Sequence, residues 1–269
     1  MTDNTAQKAS ASYRLPALDQ DFLLGDSMRG VRLQLEYEKA EERLQAWVVR
    51  STIVIFGSAR AIAPDPPAQL SQINATAPLG HWYEEARCFG RIASERGGAL
   101  ITRDGQRDNV IATGGGPGIM EAANRGAAEA GAPSIGFNIG LPREQEPNGY
   151  TTPDLTFLFH YFAVRKLHLA MRANALVVFP GGFGTLDELF EVLTLVQTTK
   201  MHRVPIVLVS KSYWSSVVNF ERLVQEGMVD RSDLQLFSYA DDAEGAWQEL
   251  VRLGLRSGPR PPGLPSISR

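Results

Sequence analysis

The sequence predicts an α/β fold: a single Rossmann-like, doubly wound domain with a mainly parallel central sheet and an extra N-terminal helix. Two observations lead to this prediction. From Ser51 onward, short runs of β-branched and other apolar residues alternate with amphipathic stretches, and the run Ala175–Phe179 (ALVVF) is apolar throughout. Strands that alternate with helices are typically parallel and joined by right-handed crossovers. A continuously apolar run is typical of a central strand that is covered on both faces.

The individual elements follow from hydrophobic periodicity. A first helix is predicted over Asp26–Val49, where apolar residues are mixed with glutamates and neither Gly nor Pro follows Gly30. The predicted strands are Thr52–Phe56, Val110–Ala112, Ser134–Phe137, Leu155–Phe159, Ala175–Phe179 and Pro205–Val209. The other predicted helices are Trp82–Arg96, Gly118–Ala130, Ala163–Ala173, Thr185–Thr198, Tyr213–Glu226 and Asp242–Leu253.

Composition predicts one folded domain over residues 26–255 with a flexible segment at either end. Residues 1–25 show no hydrophobic periodicity, and residues 256–269 contain four prolines, three arginines and no acidic residue. Residues 61–79 carry four prolines and little periodicity, so they are predicted to form a surface insertion after the first strand.

Composition also excludes several classes of protein. The 27 basic residues are outnumbered by 30 acidic ones, which is not the basic excess of a nucleic-acid-binding protein. Cys88 is the only cysteine, and none of the four histidines stands in a metal-binding spacing such as H-E-x-x-H, so neither a metal nor a cofactor is expected. No apolar run approaches the roughly 18 residues that cross a bilayer, and Met1–Ser12 lacks the apolar core of a signal peptide. We expect a soluble, cytoplasmic protein without a nucleic-acid or membrane partner.

The segment Thr113–Glu121 (TGGGPGIME) is a glycine-rich turn between a predicted strand and a predicted helix. Consecutive glycines let the backbone approach a ligand, and the first amides of the helix are unpaired donors at the positive end of its dipole. This arrangement favours a phosphate. The nicotinamide fingerprint fails because Ile119 occupies its third glycine position, and the P-loop fails because no Gly-Lys-Ser/Thr follows. Alternatively, the glycines serve only close packing of strand and helix.

A second glycine-rich turn, Pro180–Glu188 (PGGFGTLDE), follows the most apolar strand. Thr185, at the N-cap or N1 position, could offer its hydroxyl and amide to a phosphate. Thr185 and Glu188 also fit a capping box, in which Glu188 would have only a structural role. Ligands of open α/β sheets bind outside the carboxyl ends of the strands. Two phosphate-binding turns at these ends suggest one phosphorylated ligand between them.

The two turns, with Arg165-Lys166 between them, resemble the LOG ("Lonely guy") family. The family pattern is GGG-x-x-G-x-M, then an Arg-Lys pair, then PGG-x-GT-x-x-E, and the resemblance spans residues 51–226. Its members hydrolyse the N-glycosidic bond of nucleoside 5'-monophosphates, including cytokinin ribotides, and many were earlier named "possible lysine decarboxylase". The resemblance therefore implies a hydrolase that converts a cytokinin ribotide or an AMP-like nucleotide to free base and ribose 5-phosphate.

The resemblance implies that Arg165 and Glu188 are the catalytic pair. A carboxylate can stabilise the positive charge that develops on ribose or orient the attacking water, and a guanidinium can hold a phosphate or ribose bidentately. Glu121 could touch ribose hydroxyls or, equally, only complement the helix dipole. The candidate substrate-binding residues are Gly114, Gly115, Gly116, Gly118, Glu121, Lys166, Gly181, Gly182, Gly184 and Thr185.

Two other functions compete with hydrolysis. A non-catalytic nucleotide carrier or sensor could use the same fold, although a carboxylate such as Glu188 beside the ribose would gain a pure binder little. A pyridoxal-phosphate decarboxylase would need a Schiff-base lysine. Lys166 is the only lysine near the site, and its helical position points it about 100° away from Arg165, which disfavours this chemistry.

A homodimer or higher homo-oligomer is also expected. The predicted helices Ala163–Ala173 and Thr185–Thr198 carry more apolar surface than one sheet face readily covers, which favours a symmetric contact between two copies. The resemblance implies the same, because members of the family are at least dimers. The apolar residues concerned are Phe162, Leu167, Leu169, Met171, Leu189, Phe190, Leu193 and Val196.

Overall fold

The computed structural model describes residues 3–63, 78–101, 104–140 and 146–258. Within these ranges, seven parallel strands form one sheet in the order β4-β3-β2-β1-β5-β6-β7. The strands are β1 Thr52–Phe56, β2 Val110–Thr113, β3 Ser134–Ile139, β4 Thr156–Phe159, β5 Ala173–Val178, β6 Ile206–Val209 and β7 Ser238–Ala240. The doubly wound α/β fold that the sequence predicts is confirmed.

Helices cover both faces of this sheet. Their bounds are α1 Thr5–Ala9, α2 Gln20–Leu24, α3 Arg29–Ala46, α4 Pro78–Gly97, α5 Ile119–Glu129, α6 Phe162–Met171, α7 Phe183–Gln197, α8 Lys211–Val217, α9 Phe220–Gln225 and α10 Ala243–Arg252. Buried residues of α3, α6, α7, α8 and α9 form a core on one face, and those of α4, α5 and α10 form a core on the other. Successive side chains from Ala175 to Val178 in β5 enter the two cores alternately, which explains why this run is apolar.

Several predicted elements differ from the structure. Of the predicted helix Asp26–Val49, only Arg29–Ala46 is α-helical, because Asp26–Met28 form a 3-10 turn and Val48 has a left-handed backbone with φ of 51°. The predicted helix Tyr213–Glu226 is wrong as one element, because Val218 is extended and the Asn219 side chain accepts the Arg222 N–H to begin α9. Ala173 belongs to β5 and not to the end of α6. The strand β7 was not predicted, because its three residues are too few to give a periodic signal.

The ends of the chain were predicted to be flexible. The described part of the N-terminal segment contains the short helices α1 and α2 and single 3-10 turns, none of which contributes a buried residue. Residues 64–77 of the predicted insertion and residues 259–269 of the tail lie outside the described residues. The division of the chain into a domain with flexible ends therefore stays a prediction. Among the described helices, none combines the length and apolar character needed to cross a membrane.

His168 on α6 lies in an aromatic cluster beneath α3. Its ring stacks on Tyr37 with 5.2 Å between centroids and also contacts Phe137 and Phe159. Burial is the largest effect on this imidazole, and it lowers the pKa of His168 below the ordinary 6.5.

The buried His168 predicts an acid-sensitive fold. Below pH 6.5 the unfolded chain binds this proton more readily than the folded chain, so the free energy of unfolding should rise with pH up to about 6.5 and then level. The free energy of unfolding should depend less steeply on pH in His168→Leu, because this variant removes the titrating group at similar side-chain volume. Urea unfolding at several pH values measures both slopes, and an equally steep slope in the variant would contradict this role.

Candidate active site

A cavity of about 700 Å³ opens at the carboxyl ends of β1 and β5. These neighbouring strands stand where the strand order reverses, which is the usual ligand position in doubly wound sheets. The cavity wall comes from the loop after β1, from both glycine turns and from α6, α7 and α8. Its lining includes Gly57, Ser58, Arg60, Leu79, Gly114, Met120, Arg165, Pro180, Gly181, Gly182, Phe183, Gly184, Thr185, Glu188 and Tyr213.

Arg165 and Glu188 meet in this wall. Nη2 of Arg165, on α6, donates to Oε1 of Glu188, on α7, at 2.6 Å. Only 12% of the arginine side chain and 4% of the glutamate side chain are exposed. The guanidinium lies over the Phe162 ring, 5.2 Å from its centroid. Nε of Arg165 is buried without a hydrogen-bond partner among the described residues.

The surroundings of Glu188 change its acidity. Burial is the largest effect and raises the pKa of Glu188 above its ordinary 4.5, while the charges of Arg165 and Lys166 lower it and that of Glu191 raises it. The carboxyl is therefore a weaker acid than a surface glutamate, with two cations holding its ionised form. Such a perturbed carboxyl in a cavity is typical of a functional site.

The capping box predicted for Thr185 and Glu188 is wrong. Helix α7 begins at Phe183 with Gly182 as its N-cap, and no side chain caps it. Thr185 is thus the third helical residue, and its side chain packs on Gly181, where a Cβ would lie 2.1 Å from the threonine Oγ1. Glu188 lies a full turn into the helix, so capping does not explain its presence.

The N-terminus of α7 offers backbone donors to the cavity. Its first backbone bond runs from Leu186 N–H to Gly182 C=O at 3.0 Å, so the amides of Phe183, Gly184 and Thr185 have no backbone partner among the described residues. The same three residues line the cavity. Free amides at the positive end of a helix dipole are suited to a phosphate.

The first glycine turn is mostly engaged by the protein itself. Gly114 lines the cavity, whereas Gly115, Gly116 and Gly118 are buried and do not line it. The Asn148 amide donates to the carbonyls of Gly115 and Gly116, both at 3.1 Å. The first amide of α5, that of Ile119, donates to Ser58 C=O at 3.1 Å. The expectation of free amides at this helix start is therefore wrong for Ile119.

Besides the buried Gly115, Gly116 and Gly118, two more predicted substrate-binding residues lie outside the cavity lining. Glu121 accepts a hydrogen bond of 2.7 Å from the Tyr83 hydroxyl, which joins α5 to α4. Lys166 Nζ lies 2.9 Å from Asp187 and 3.2 Å from Glu191, on a groove of α7 beside the cavity. The structure brings Gly114, Gly181, Gly182, Gly184 and Thr185 together with the catalytic candidates, but not these two side chains.

Sequence reasoning missed the loop after β1, Gly57–Arg60. Ser58 N–H donates to Pro180 C=O at 2.9 Å, and its carbonyl accepts the amide at the start of α5, so this loop joins both glycine turns. Gly57, directly after β1, was the signal in the sequence that could have indicated this loop. Only glycine fits there, because a Cβ would lie 2.7 Å from the Ile119 side chain.

Arg60 is exposed at the cavity and forms no ion pair with a described residue. Tyr213, also missed, anchors the second turn by donating to Gly181 C=O at 2.6 Å.

No metal centre accompanies these residues. Across the described ranges, no cluster of three or more His, Cys, Asp or Glu side chains is arranged to hold an ion. The chemical groups of the cavity are therefore a buried carboxylate, two guanidinium groups, hydroxyls and free backbone amides.

Comparison with known proteins supports the resemblance that the motifs indicate. The family model described as possible lysine decarboxylase matches residues 120–250, which include Arg165 and Glu188. The cytokinin riboside 5'-monophosphate phosphoribohydrolase LOG5 of Arabidopsis thaliana is 27% identical over 165 residues, or 61% of this chain and 70% of that protein. Its relative LOG7 from the same plant is 29% identical over 172 residues, or 63% and 72%. The resemblance to the LOG family is confirmed.

Two solved structures are similar to this chain at a lower level of identity. The molybdenum cofactor binding protein of Rippkaea orientalis is 19% identical and covers 76% of this chain and 96% of its own, with a TM-score of 0.47. The Moco carrier protein of Chlamydomonas reinhardtii is 20% identical and covers 76% and 97%, with a TM-score of 0.48. Superpositions this loose carry no inference about function.

Proposed function

From the similarity to LOG phosphoribohydrolases and the geometry of the cavity, we propose that this protein hydrolyses the N-glycosidic bond of nucleoside 5'-monophosphates. The substrate is a cytokinin ribotide or an AMP-like nucleotide, and the products are free base and ribose 5-phosphate. One observation carries the proposal: the buried Arg165–Glu188 pair shares a cavity with the free amides of α7.

The 5'-phosphate is assigned to the start of α7. The amides of Phe183, Gly184 and Thr185 donate to its oxygens, and the helix dipole favours its charge. Arg60, exposed at the same cavity without an ion pair to a described residue, supplies a mobile cation for the phosphate. The ribose then lies between this helix end and Glu188, which is a little over one turn farther along.

Cleavage proceeds at the ribose C1'. The bond to the base breaks with its electron pair leaving on the base, which takes up a proton, and positive charge develops on the ribose. The Glu188 carboxylate stabilises this charge or orients the water that adds to C1'. Arg165 keeps Glu188 ionised and in place.

The competing function is a nucleotide carrier or sensor on the same fold. Both functions require AMP to bind, but only the hydrolase converts it. Incubation of the protein with AMP, followed by chromatography, should reveal free adenine that increases with time and with protein concentration. Tight binding of AMP without adenine release would favour the carrier and overturn the hydrolase.

The acidity of Glu188 gives a test by pH. Because the ionised form acts, kcat/KM should rise with pH through the pKa of Glu188, and this acid limb should lie above 4.5. Lys166→Met removes a cation that favours the carboxylate, so it should move the limb to higher pH. Lys200→Met, at an exposed position outside the cavity, is the control. An acid limb that Lys166→Met leaves in place would contradict the role of Glu188.

We propose further that the protein is a homodimer packed through α6 and α7. Leu169, Leu189 and Val196 lie in the core, but other apolar side chains of these helices face outward. Phe183 is 91% exposed and Phe162 is 50% exposed, and Leu167, Met171 and Phe190 are also exposed. Apolar surface of this kind on a soluble protein usually marks an interface, and two identical helix pairs provide a self-complementary one.

Light scattering at micromolar concentration should therefore give the mass of two chains. Leu167→Glu should shift the mass toward one chain, because it places a charge at the centre of the apolar surface. A monomeric mass for the wild type would contradict the dimer.

A further inference from the structure

Helix α3 lies outside residues 120–250, which match the family model, yet it contacts both ends of α6. At one end, Glu36 Oε1 accepts the His160 N–H at 2.8 Å and Oε2 accepts the Tyr161 N–H at 3.2 Å. At the other end, Arg172 donates to both oxygens of Glu41, at 2.8 and 2.5 Å. The stacking of Tyr37 on His168 joins the two helices between these points. Helix α3 therefore clamps the helix that carries Arg165.

The clamp at Glu36 supplies what α6 lacks. The N-cap of α6 is Tyr161, which makes no side-chain cap bond. Glu36 accepts the N–H of the N-cap residue and that of the residue before it, as the carboxylate of a capping box accepts the N-cap N–H, and its charge lies at the positive end of the helix dipole. Here the carboxylate comes from a helix more than a hundred residues earlier in the chain.

A continuous series of hydrogen bonds connects this cap to the catalytic pair. Glu36 accepts the Tyr161 N–H, and the Tyr161 carbonyl accepts the Arg165 N–H at 3.2 Å. The Arg165 guanidinium then donates to Glu188. Any shift of the start of α6 is thereby passed to the backbone of the arginine itself.

Arg32 holds the same junction from the other side. Its Nε donates to the Tyr161 hydroxyl at 3.1 Å, and its Nη1 donates to the carbonyls of Leu23 and Gly25 at 2.8 and 2.7 Å. Two side chains of α3 therefore hold Tyr161: Glu36 binds its backbone N–H, and Arg32 binds its hydroxyl.

We infer that α3 is a positioning element of the active site and that Glu36 is the positioning residue that sets Arg165 against Glu188. This inference rests on the proposed function for its effect on rate. The dependence of the Arg165–Glu188 contact on Glu36 is a structural claim, and it does not rest on the proposed function. The two can therefore be tested separately.

Glu36→Gln is the variant that tests this role. It keeps the length of the side chain but removes its charge and one of its two acceptor oxygens. Turnover of AMP should fall by about tenfold or more, since small displacements of reacting groups carry large rate effects, while KM changes by about twofold or less. Glu38→Gln is the matched control, because Glu38 is an exposed glutamate of α3 with no hydrogen bond or ion pair to a described residue.

A second readout does not need turnover. Titration of the Glu188 carboxyl by ¹³C NMR, assigned with Glu188→Gln, reports how close the Arg165 charge lies. The other charged or titratable groups that face this carboxyl are Lys166, Glu191, Arg60 and Tyr213, which the variant leaves in place. The Glu188 titration should move to higher pH in Glu36→Gln and stay unchanged in Glu38→Gln.

The outcomes separate the two proposals. If the wild type releases no base from AMP, the proposed function fails, and the Glu188 titration still decides the positioning role. If Glu36→Gln does not fold, Tyr161→Phe removes only the hydroxyl that Arg32 binds and should move the titration in the same direction by a smaller amount. A Glu188 titration and a kcat that match the wild type in the folded variant would overturn the inference.

Discussion

Glu188→Gln is expected to bind AMP as the wild type does and to lose turnover by about a thousandfold, within the range measured for positioned carboxylates. The amide keeps the size of the side chain and can still accept the hydrogen bond from Arg165. It removes the negative charge that stabilises the developing cation on ribose. Glu188 does not cap α7, but its amide leaves the buried Arg165 charge without a counter-charge, so the free energy of unfolding should fall by about 3 kcal/mol.

Glu191→Gln is the matched control for this prediction. Glu191 lies on the same helix and pairs with Lys166 outside the cavity, so its amide variant should retain turnover. Steady-state kinetics with AMP and calorimetric binding of AMP measure both variants. Near-normal turnover in a folded Glu188→Gln protein would contradict the catalytic role.

Nucleoside monophosphates should be cleaved at least about a hundredfold more efficiently than the matching nucleosides, as measured by kcat/KM. The free amides of α7 lose their partner when the phosphate is absent, and the binding energy that places the ribose against Glu188 is lost with it. A hundredfold change corresponds to about 3 kcal/mol. ATP should also be a poor substrate, because no lysine lines the cavity among the described residues to hold its outer phosphates.

Arg60 provides a variant for the same measurement. Arg60→Gln should lower kcat/KM for AMP by about tenfold and leave that for adenosine unchanged, because the guanidinium acts on the phosphate alone. Base release from AMP, adenosine and ATP at equal concentration measures these ratios. Comparable rates for AMP and adenosine would show that the start of α7 does not bind a monophosphate.

Much of the fold could be predicted because it depends on local patterns. The strand β1 has the predicted bounds, and the run Ala175–Val178 of β5 is apolar because helices cover it on both sides. The position of both glycine turns at one edge of the sheet could also be predicted, since the carboxyl ends of parallel strands share that edge. The pairing of Arg165 with Glu188 was indicated only by the resemblance to the LOG family.

Several features that could not be predicted depend on distant partners. The first glycine turn has the sequence of a phosphate site, but the Ser58 carbonyl already accepts the first helical amide, and Gly115, Gly116 and Gly118 do not line the cavity. Helix α7 begins at Phe183, two residues before the predicted start at Thr185, because Gly182 is its N-cap. The spacing of Thr185 and Glu188 fits a capping box equally well, so the sequence does not distinguish these two starts. The cap that Glu36 provides to α6 joins residues 124 apart in sequence, so no window around either one reveals it.

The most direct test of catalysis by the Arg165–Glu188 pair is a side-by-side incubation of wild type and Glu188→Gln with AMP, in which adenine and ribose 5-phosphate are both quantified. The wild type should form the two products in equal amounts and in proportion to protein, and the variant should bind AMP but form almost none of either. Equal product formation by the two proteins, or AMP binding by the wild type with no product, would contradict this function for the cavity.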